Sequence, residues 1–181
     1  MRRGDSITTY TGIEFYILDP RPEEVADVDI AHALSLLCRG NGHYKQFYSV
    51  GQHSLNCLAE ARARGLSPRL LMACLMHDGS EAYISDITRP VKQYLPTYRE
   101  YERAIQSMLF THYGVPNLSA EELQLVAEID DTVLYYEFVA LHKMPPGAPP
   151  EKHVQFDFAL RRADAVEQSF LTELHALQKQ L

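Results

Sequence analysis

Ser67-Pro68-Arg69-Leu70-Leu71-Met72-Ala73-Cys74-Leu75-Met76-His77-Asp78-Gly79-Ser80-Glu81 is the stretch on which the fold turns. Ser67 suits an N-cap, and Pro68 suits the first helical position, where a missing N–H costs nothing. From Leu70 to Met76 the run is apolar on nearly every side, so the spacing predicts a helix at the buried centre of the protein. That helix ends in an imidazole and two carboxylates. On a continuing helix His77 and Glu81 are four apart and Asp78 and Glu81 three apart, which gathers the three side chains on one face. Burying such groups costs on the order of several kcal/mol each unless they are paired or bind a metal. The competing reading is a helix that emerges into solvent after Met76.

Upstream, Ser49-Val50-Gly51-Gln52 has the form of a capping box and predicts a helix from Val50 to Gly65 with His53 in its first turn. Before it, Asp27 caps a predicted helix over about 28–38, and Arg39-Gly40-Asn41-Gly42 breaks that helix. The β-prone runs Ile7–Tyr10 and Ile13–Leu18 flank Thr11-Gly12 as a small hairpin, and Asp19-Pro20-Arg21-Pro22 is a loop. Downstream, Tyr98, Tyr101, Ala104, Ile105, Met108 and Leu109 recur at helical spacing up to Gly114. Ser119-Ala120-Glu121-Glu122 is a second capping box, opening a long helix through Leu123, Val126, Ile129, Val133, Leu134 and Phe138. The four prolines of Met144–Pro150 make a loop, and a last helix is predicted over about 154–180. The expected fold class is all-α: a helical bundle with a small N-terminal β-hairpin. One domain is expected over 1–181, with the hairpin and loop at about 1–20, the core at about 27–142, and then the C-terminal helix.

The chain has 181 residues, 46% of them hydrophobic, enough for one sizeable core. Its formal net charge of −7 is the wrong sign for a surface that binds nucleic acid or anionic lipid, so a small-molecule partner is expected. No apolar run approaches the roughly 18 residues a membrane span requires, and Met1-Arg2-Arg3-Gly4-Asp5 leads into polar residues, so the expected location is cytoplasmic. Cys38, Cys57 and Cys74 form no C-x-x-C pair and read as buried free thiols.

The apolar periodicity of the helix after Ser49 contains His53, and that of the helix after Ser119 contains the acidic pair Asp130-Asp131. Either aspartate can turn inward with a small change of register. Two imidazoles with two carboxylates form a mixed nitrogen and oxygen set suited to Zn, Mn, Fe or Co, and positions left open to water would make the site catalytic. His32, His112, His142, His153 and His175 lack such surroundings and read as structural, while Tyr135 and Tyr136 pack the core or a pocket wall.

The order H…HD…D over three helices resembles that of the HD-domain phosphohydrolases. Phe47-Tyr48-Ser49-Val50-Gly51-Gln52-His53-Ser54-Leu55, His77-Asp78-Gly79-Ser80-Glu81-Ala82-Tyr83 and Asp86-Ile87-Thr88-Arg89-Pro90-Val91-Lys92 look like the YfbR-type, 5'-deoxynucleotidase branch, over residues 7–142. The resemblance implies an HD-domain bundle with His53, His77, Asp78 and Asp130 as ligands of one divalent transition metal (Co, Mn, Zn, Fe or Ni). The resemblance favours Asp130 over Asp131 because the related pattern places the ligand aspartate seven residues before a helix glutamate, here Glu137. The resemblance also implies Glu81 as the group that activates or orients the attacking water, Asp86 as an organiser of nucleophile and sugar, and Arg39 as a phosphate contact. A capping role is the alternative for Asp86. His43 and Lys92 are further candidates for the phosphate end of the site. Where nucleotidases of this branch often carry an aromatic residue after the arginine, this chain has Gly40.

The implied activity is removal of phosphate from a 5'-(deoxy)nucleoside monophosphate. The alternatives are a nucleoside triphosphate hydrolase using the same site, which a small residue at Gly40 would favour, and a non-catalytic nucleotide- or metal-sensing module, against which Glu81 argues. A homodimer is also implied.

Overall fold

The structure, a computed structural model, describes residues 2–143 and 147–181, so the loop expected at Met144–Pro150 lies partly outside the described residues. The chain is predominantly helical, with one small antiparallel hairpin. Strands β1 (Ser6–Thr8) and β2 (Glu14–Tyr16) pair with Ile7 opposite Phe15. The helices are α1 (Asp27–Leu36), α2 (Val50–Ala63), α3 (Pro68–Met76), α4 (Glu81–Ile84), α5 (Arg89–Lys92), α6 (Pro96–His112), α7 (Ala120–Leu141) and α8 (Ala163–Gln178). Among the described residues no helix is long and apolar enough to cross a membrane.

Helix α3 is the centre. Its residues from Leu71 to Met76 are buried and share one apolar core with Ile30 and Leu34 of α1, Leu58 of α2, Ile105 and Leu109 of α6, Ile129 of α7 and Phe170 of α8. Each large aliphatic or aromatic side chain buried there contributes roughly 1.5–3 kcal/mol. The hairpin joins the same core through Phe15, which is fully buried and stacks on Tyr83 at a ring distance of 3.8 Å.

The caps explain most helix starts. Ser119 and Glu122 complete the reciprocal capping box of α7, at 3.1 and 2.8 Å. Ser49 accepts from the Gln52 N–H at 3.1 Å, but the other half of the expected box is missing, because the Gln52 side chain reaches instead to Asp157 and Ala159. Asp27 does not cap α1; it is the first helical residue, and its carboxylate accepts from the Tyr113 hydroxyl at 2.8 Å.

The central helix does not continue through Glu81 as the sequence led us to expect. After Met76 the chain tightens: the Gly79 N–H donates to Met76 O at 2.9 Å and the Glu81 N–H to Asp78 O at 3.0 Å, three residues back instead of four. In such a turn side chains three apart eclipse, so Asp78 and Glu81 project the same way. Gln106 of α6 fastens the break, donating to Met76 O at 2.7 Å and accepting from the Ser80 N–H at 3.1 Å. Glycine suits position 79, since a Cβ there would lie 2.9 Å from Met76 Cε and 3.0 Å from Met76 O and would require the Met76 side chain to move.

The second departure is at the C-terminal side, where α8 begins at Ala163 and residues 154–162 are not helical. Gln52, Asn56 and Glu60, four apart on one face of α2, are all buried, and they hold residues 153–159 in an extended strap. Asn56 both donates to Asp157 O and accepts from the Asp157 N–H, each at 3.0 Å. Gln52 donates to Asp157 O and Ala159 O, and Glu60 accepts from the His153 N–H at 2.9 Å. These side chains do for the strap what a neighbouring strand would do, so its backbone is satisfied without helix.

Two outcomes follow from the strap. Asn56→Leu strands the Asp157 N–H and should lower the unfolding free energy by about 1–2 kcal/mol in urea titration, with faster hydrogen exchange at Asp157. Burial works against the Glu60 carboxylate, but His153 and Arg64 outweigh it and hold its pKa below the usual value. The lowered value stabilises the fold above the unfolded pKa of about 4.3 and the benefit fades as pH falls through the folded one. The urea midpoint of Glu60→Gln should therefore lie below that of the parent at pH 7 and approach it as the solution is acidified below pH 4 or so.

Candidate metal centre

Four side chains from three places in the fold aim one atom each at a common point. His53 comes from the first turn of α2, His77 and Asp78 from the tightened end of α3, and Asp130 from the middle of α7. His53 Nε2 lies 3.2 Å from His77 Nε2, 3.1 Å from Asp130 Oδ1 and 3.7 Å from Asp78 Oδ2. His77 Nε2 lies 3.3 Å from Asp78 Oδ2 and 3.9 Å from Asp130 Oδ1. Donor atoms about 2.1 Å from a shared ion stand roughly 3.0–3.5 Å from one another, so most of these spacings are edges of a coordination shell.

The far side of each ring fixes its tautomer. His77 Nδ1 is 2.8 Å from Cys74 O, a carbonyl that can only accept, so Nδ1 carries the proton and Nε2 keeps its lone pair. His53 Nδ1 is 2.6 Å from Glu137 Oε1. Burial opposes charge on Glu137, but Arg39 and His53 hold its pKa low, so it too accepts and leaves the His53 Nε2 lone pair free. Two lone pairs and two carboxylate oxygens then face one another; Arg39 answers Asp78 Oδ2 at 3.1 Å, and the remainder repels itself unless a cation or a proton sits between. With no such ion, protonation relieves it: burial and Arg39 push the His53 pKa down, and Cys57, Glu137 and Asp130 more than reverse this. Burial likewise favours protonated Asp78 and Asp130, yet the imidazoles hold both well below the ordinary carboxylate range.

The donor set therefore fits a divalent transition metal. It offers borderline nitrogens and hard oxygens, with each histidine oriented from behind by a carboxylate or a carbonyl as metal-ligating histidines are.

Arg39 is buried beside this cluster. Its backbone N–H donates to Tyr48 O at 2.9 Å, next to the Cys38–Ser49 bridge. Its guanidinium donates to Asp78 Oδ2 at 3.1 Å and Glu137 Oε2 at 3.3 Å. It borders the site while neutralising the acids that hold it. Tyr44 donates to the same Glu137 oxygen at 3.2 Å, and its ring lies against Gly40, where a Cβ would touch it at 3.4 Å.

Glu81 is only 4% exposed, and its Oε2 is buried with no hydrogen-bond partner, the mark of a place for water or ligand. Burial raises its pKa, and the charges of Asp78 and Asp86 raise it further. Lys92 Nζ stands 3.7 Å from Glu81 Oε1 and is held at 2.5 Å by Glu102 of α6. Asp86 is half-buried; burial raises its pKa, and it feels the charges of Arg39, Asp78 and Lys92. His43 is exposed and is not brought into contact with the cluster.

Of the two candidate aspartates, Asp130 faces the histidines and Asp131 is 59% exposed. Arg89 separates their roles, pairing with Asp130 Oδ2 at 2.7 Å and Asp131 Oδ1 at 2.5 Å, so that Asp130 turns its other oxygen inward. Sequence reasoning gave Arg89 and Glu102 no role and used Glu137 only as a spacing marker. A buried acid two turns after Asp130 on the same helix face was the available signal for Glu137. Cys57, one turn after His53, reads from sequence as a buried free thiol; in the fold His53, Cys57 and His77 each place a donor atom within 4.8 Å of the others.

Open hollows lie elsewhere among the described residues, two of them relevant to the elements above. One of about 430 Å³ is lined by Asn56, Asp157, Arg161 and Thr172. The other, about 660 Å³, is lined by Arg64, Arg89, Asp131 and Tyr135, and Arg89 ties its rim to the cluster.

The chain is 36% identical over 110 residues to the uncharacterized protein YfdR of Escherichia coli, a match covering 61% of this chain and 59% of that one. It is 32% identical over 130 residues to an uncharacterized protein of Rhodobacter capsulatus, covering 68% and 65% respectively. The chain thus spans less than two thirds of the length of either relative. No family profile matches it.

Ser85 joins Glu81 to Asp86 with φ 72° and ψ 160°, a conformation that disfavours any side chain, and Tyr98 fixes it by donating to Ser85 O at 2.6 Å. Ser85→Gly should raise unfolding free energy by about 1 kcal/mol, the relieved strain exceeding the entropy cost, whereas Ser85→Ala should not. Equal urea midpoints for the two variants would show that no strain is held there.

Proposed function

We propose that the protein is an HD-domain, metal-dependent phosphohydrolase that removes phosphate from nucleotides, with 5'-(deoxy)nucleoside monophosphates as the preferred class. What carries this reading is one observation: four donor atoms, His53 Nε2, His77 Nε2, Asp78 Oδ2 and Asp130 Oδ1, converge, and Glu81, which feels the charge of Asp78, keeps a buried oxygen with no partner. The resemblance of residues 7–142 to the YfbR-type branch supports the same conclusion. When bound, a divalent ion supplies Lewis acidity and acidifies a water.

The chain's own residues would do the remainder. Glu81, buried and with Oε2 unpartnered, is the carboxylate placed to take a proton from the attacking water. Lys92, exposed enough to meet a ligand, offsets phosphoryl charge, and Arg39 adds positive potential from behind the ligand carboxylates. Asp86 orients the nucleophile or the sugar. Arg89 and Glu102 act as positioning residues, the first for Asp130 and the second for Lys92.

Tyr44 bears on the choice of substrate. Its ring fills the space beside Gly40, taking up room that a longer phosphate chain would need on that side. It also supplies an aromatic surface that the residue after Arg39 does not. The unpartnered Glu81 oxygen weighs against a sensor without turnover.

Purified protein with Co(II) or Mn(II) should release orthophosphate from nucleoside monophosphates in a panel of mono-, di- and triphosphates. Glu81→Ala should lose about 10²–10⁴-fold in rate while still binding the metal. Absence of turnover on every phosphoester with every metal would overturn the proposal, and release from triphosphates alone would move it to the other substrate class.

A further inference from the structure

We infer that Cys57 is a fifth donor to this centre, a thiolate ligand that biases the site toward softer ions such as Zn(II) and Co(II). The inference rests on the metal reading above and goes beyond its four ligands.

Cys57 lies one helical turn after His53, on the same face of α2, and is 1% exposed. Its Sγ is 3.4 Å from His53 Nε2, the nitrogen whose lone pair points into the cluster, and within 4.8 Å of the His77 donor atom. A sulfur about 2.3 Å and a nitrogen about 2.0 Å from one zinc ion stand roughly 3.1–3.6 Å apart, depending on the angle between them. The observed separation falls in that range.

The alternative, a thiol that merely donates to His53 Nε2, answers one lone pair. It leaves the His77 lone pair facing Asp130 Oδ1 and Asp78 Oδ2, of which Arg39 answers only the second. Ligation answers all of them with one ion. On binding, the S–H bond breaks, an S–metal bond forms and the proton passes to solvent, with no change of oxidation state. Thiolate is the softest donor in the set. It shifts preference away from Mg(II) and Mn(II), which favour oxygen-only shells.

The test is Co(II) titration of the full chain followed by absorption. Visible d–d bands report that the ion is bound, and a near-ultraviolet sulfur-to-cobalt charge-transfer band reports a thiolate ligand. The parent protein should show both. Cys57→Ala and Cys57→Ser should keep the d–d bands and lose the charge-transfer band, with Zn(II) affinity falling by at least about 10-fold and Mn(II) affinity changing little. Cobalt bound without a charge-transfer band in the parent overturns the inference and leaves the four-ligand centre standing. So does a band that persists in both variants, since Cys38 or Cys74 would then be its source. A parent protein that binds no cobalt overturns the metal reading together with this inference. The parent spectrum decides the first point even if neither variant folds.

Discussion

The hydrogen bond from His53 Nδ1 to Glu137 is the constraint around which the centre is organised. Glu137 is fully buried in α7, and it holds the imidazole in the one tautomer that presents a lone pair to the interior. The same helix presents Asp130 two turns earlier, so one element supplies both a donor and the group that orients another donor. Arg39 makes this affordable by neutralising Glu137 and Asp78 together. Removal of any one of these charges leaves the others buried and unbalanced, a costlier state than the intact cluster.

A second requirement is that a central apolar helix must end inside the protein. Helix α3 cannot expose its last carbonyls to water, because α6 and α7 pack around it. The tightened turn at His77–Ser80 resolves this by handing Met76 O and the Ser80 N–H to Gln106. It also eclipses Asp78 with Glu81. The polarity that looks out of place at the end of an apolar helix is satisfied on one side by Gln106 and on the other by the donor cluster.

Most of the helices were legible because their signals are local. Ser67-Pro68 and Ser119 through Glu122 need only neighbouring backbone groups, and both open helices where expected. Gln52 shows where local logic stops: half a capping box competes with two carbonyls of the strap, and the distant partners win. The strap falls inside the last helix expected over about 154–180, and only its second part, from Ala163, is helical. Nothing near 154–162 announces that Asn56 and Glu60, a hundred residues upstream in round terms, will satisfy its backbone.

By itself the sequence determined the helical class, the hairpin, and the placing of His53, the His77-Asp78 pair and the acidic pair Asp130-Asp131 on or at the ends of helices, because residue type and period fix those locally. The tertiary structure alone decided that Asp130 and not Asp131 turns inward, since Arg89 from a separate segment claims the outer oxygens. It alone brought Glu137 behind His53, Tyr44 against Gly40 and Cys57 to the edge of the cluster. The physical reason is the same in each case: orientation of a donor is set by the group on its far side, and that group comes from another part of the chain.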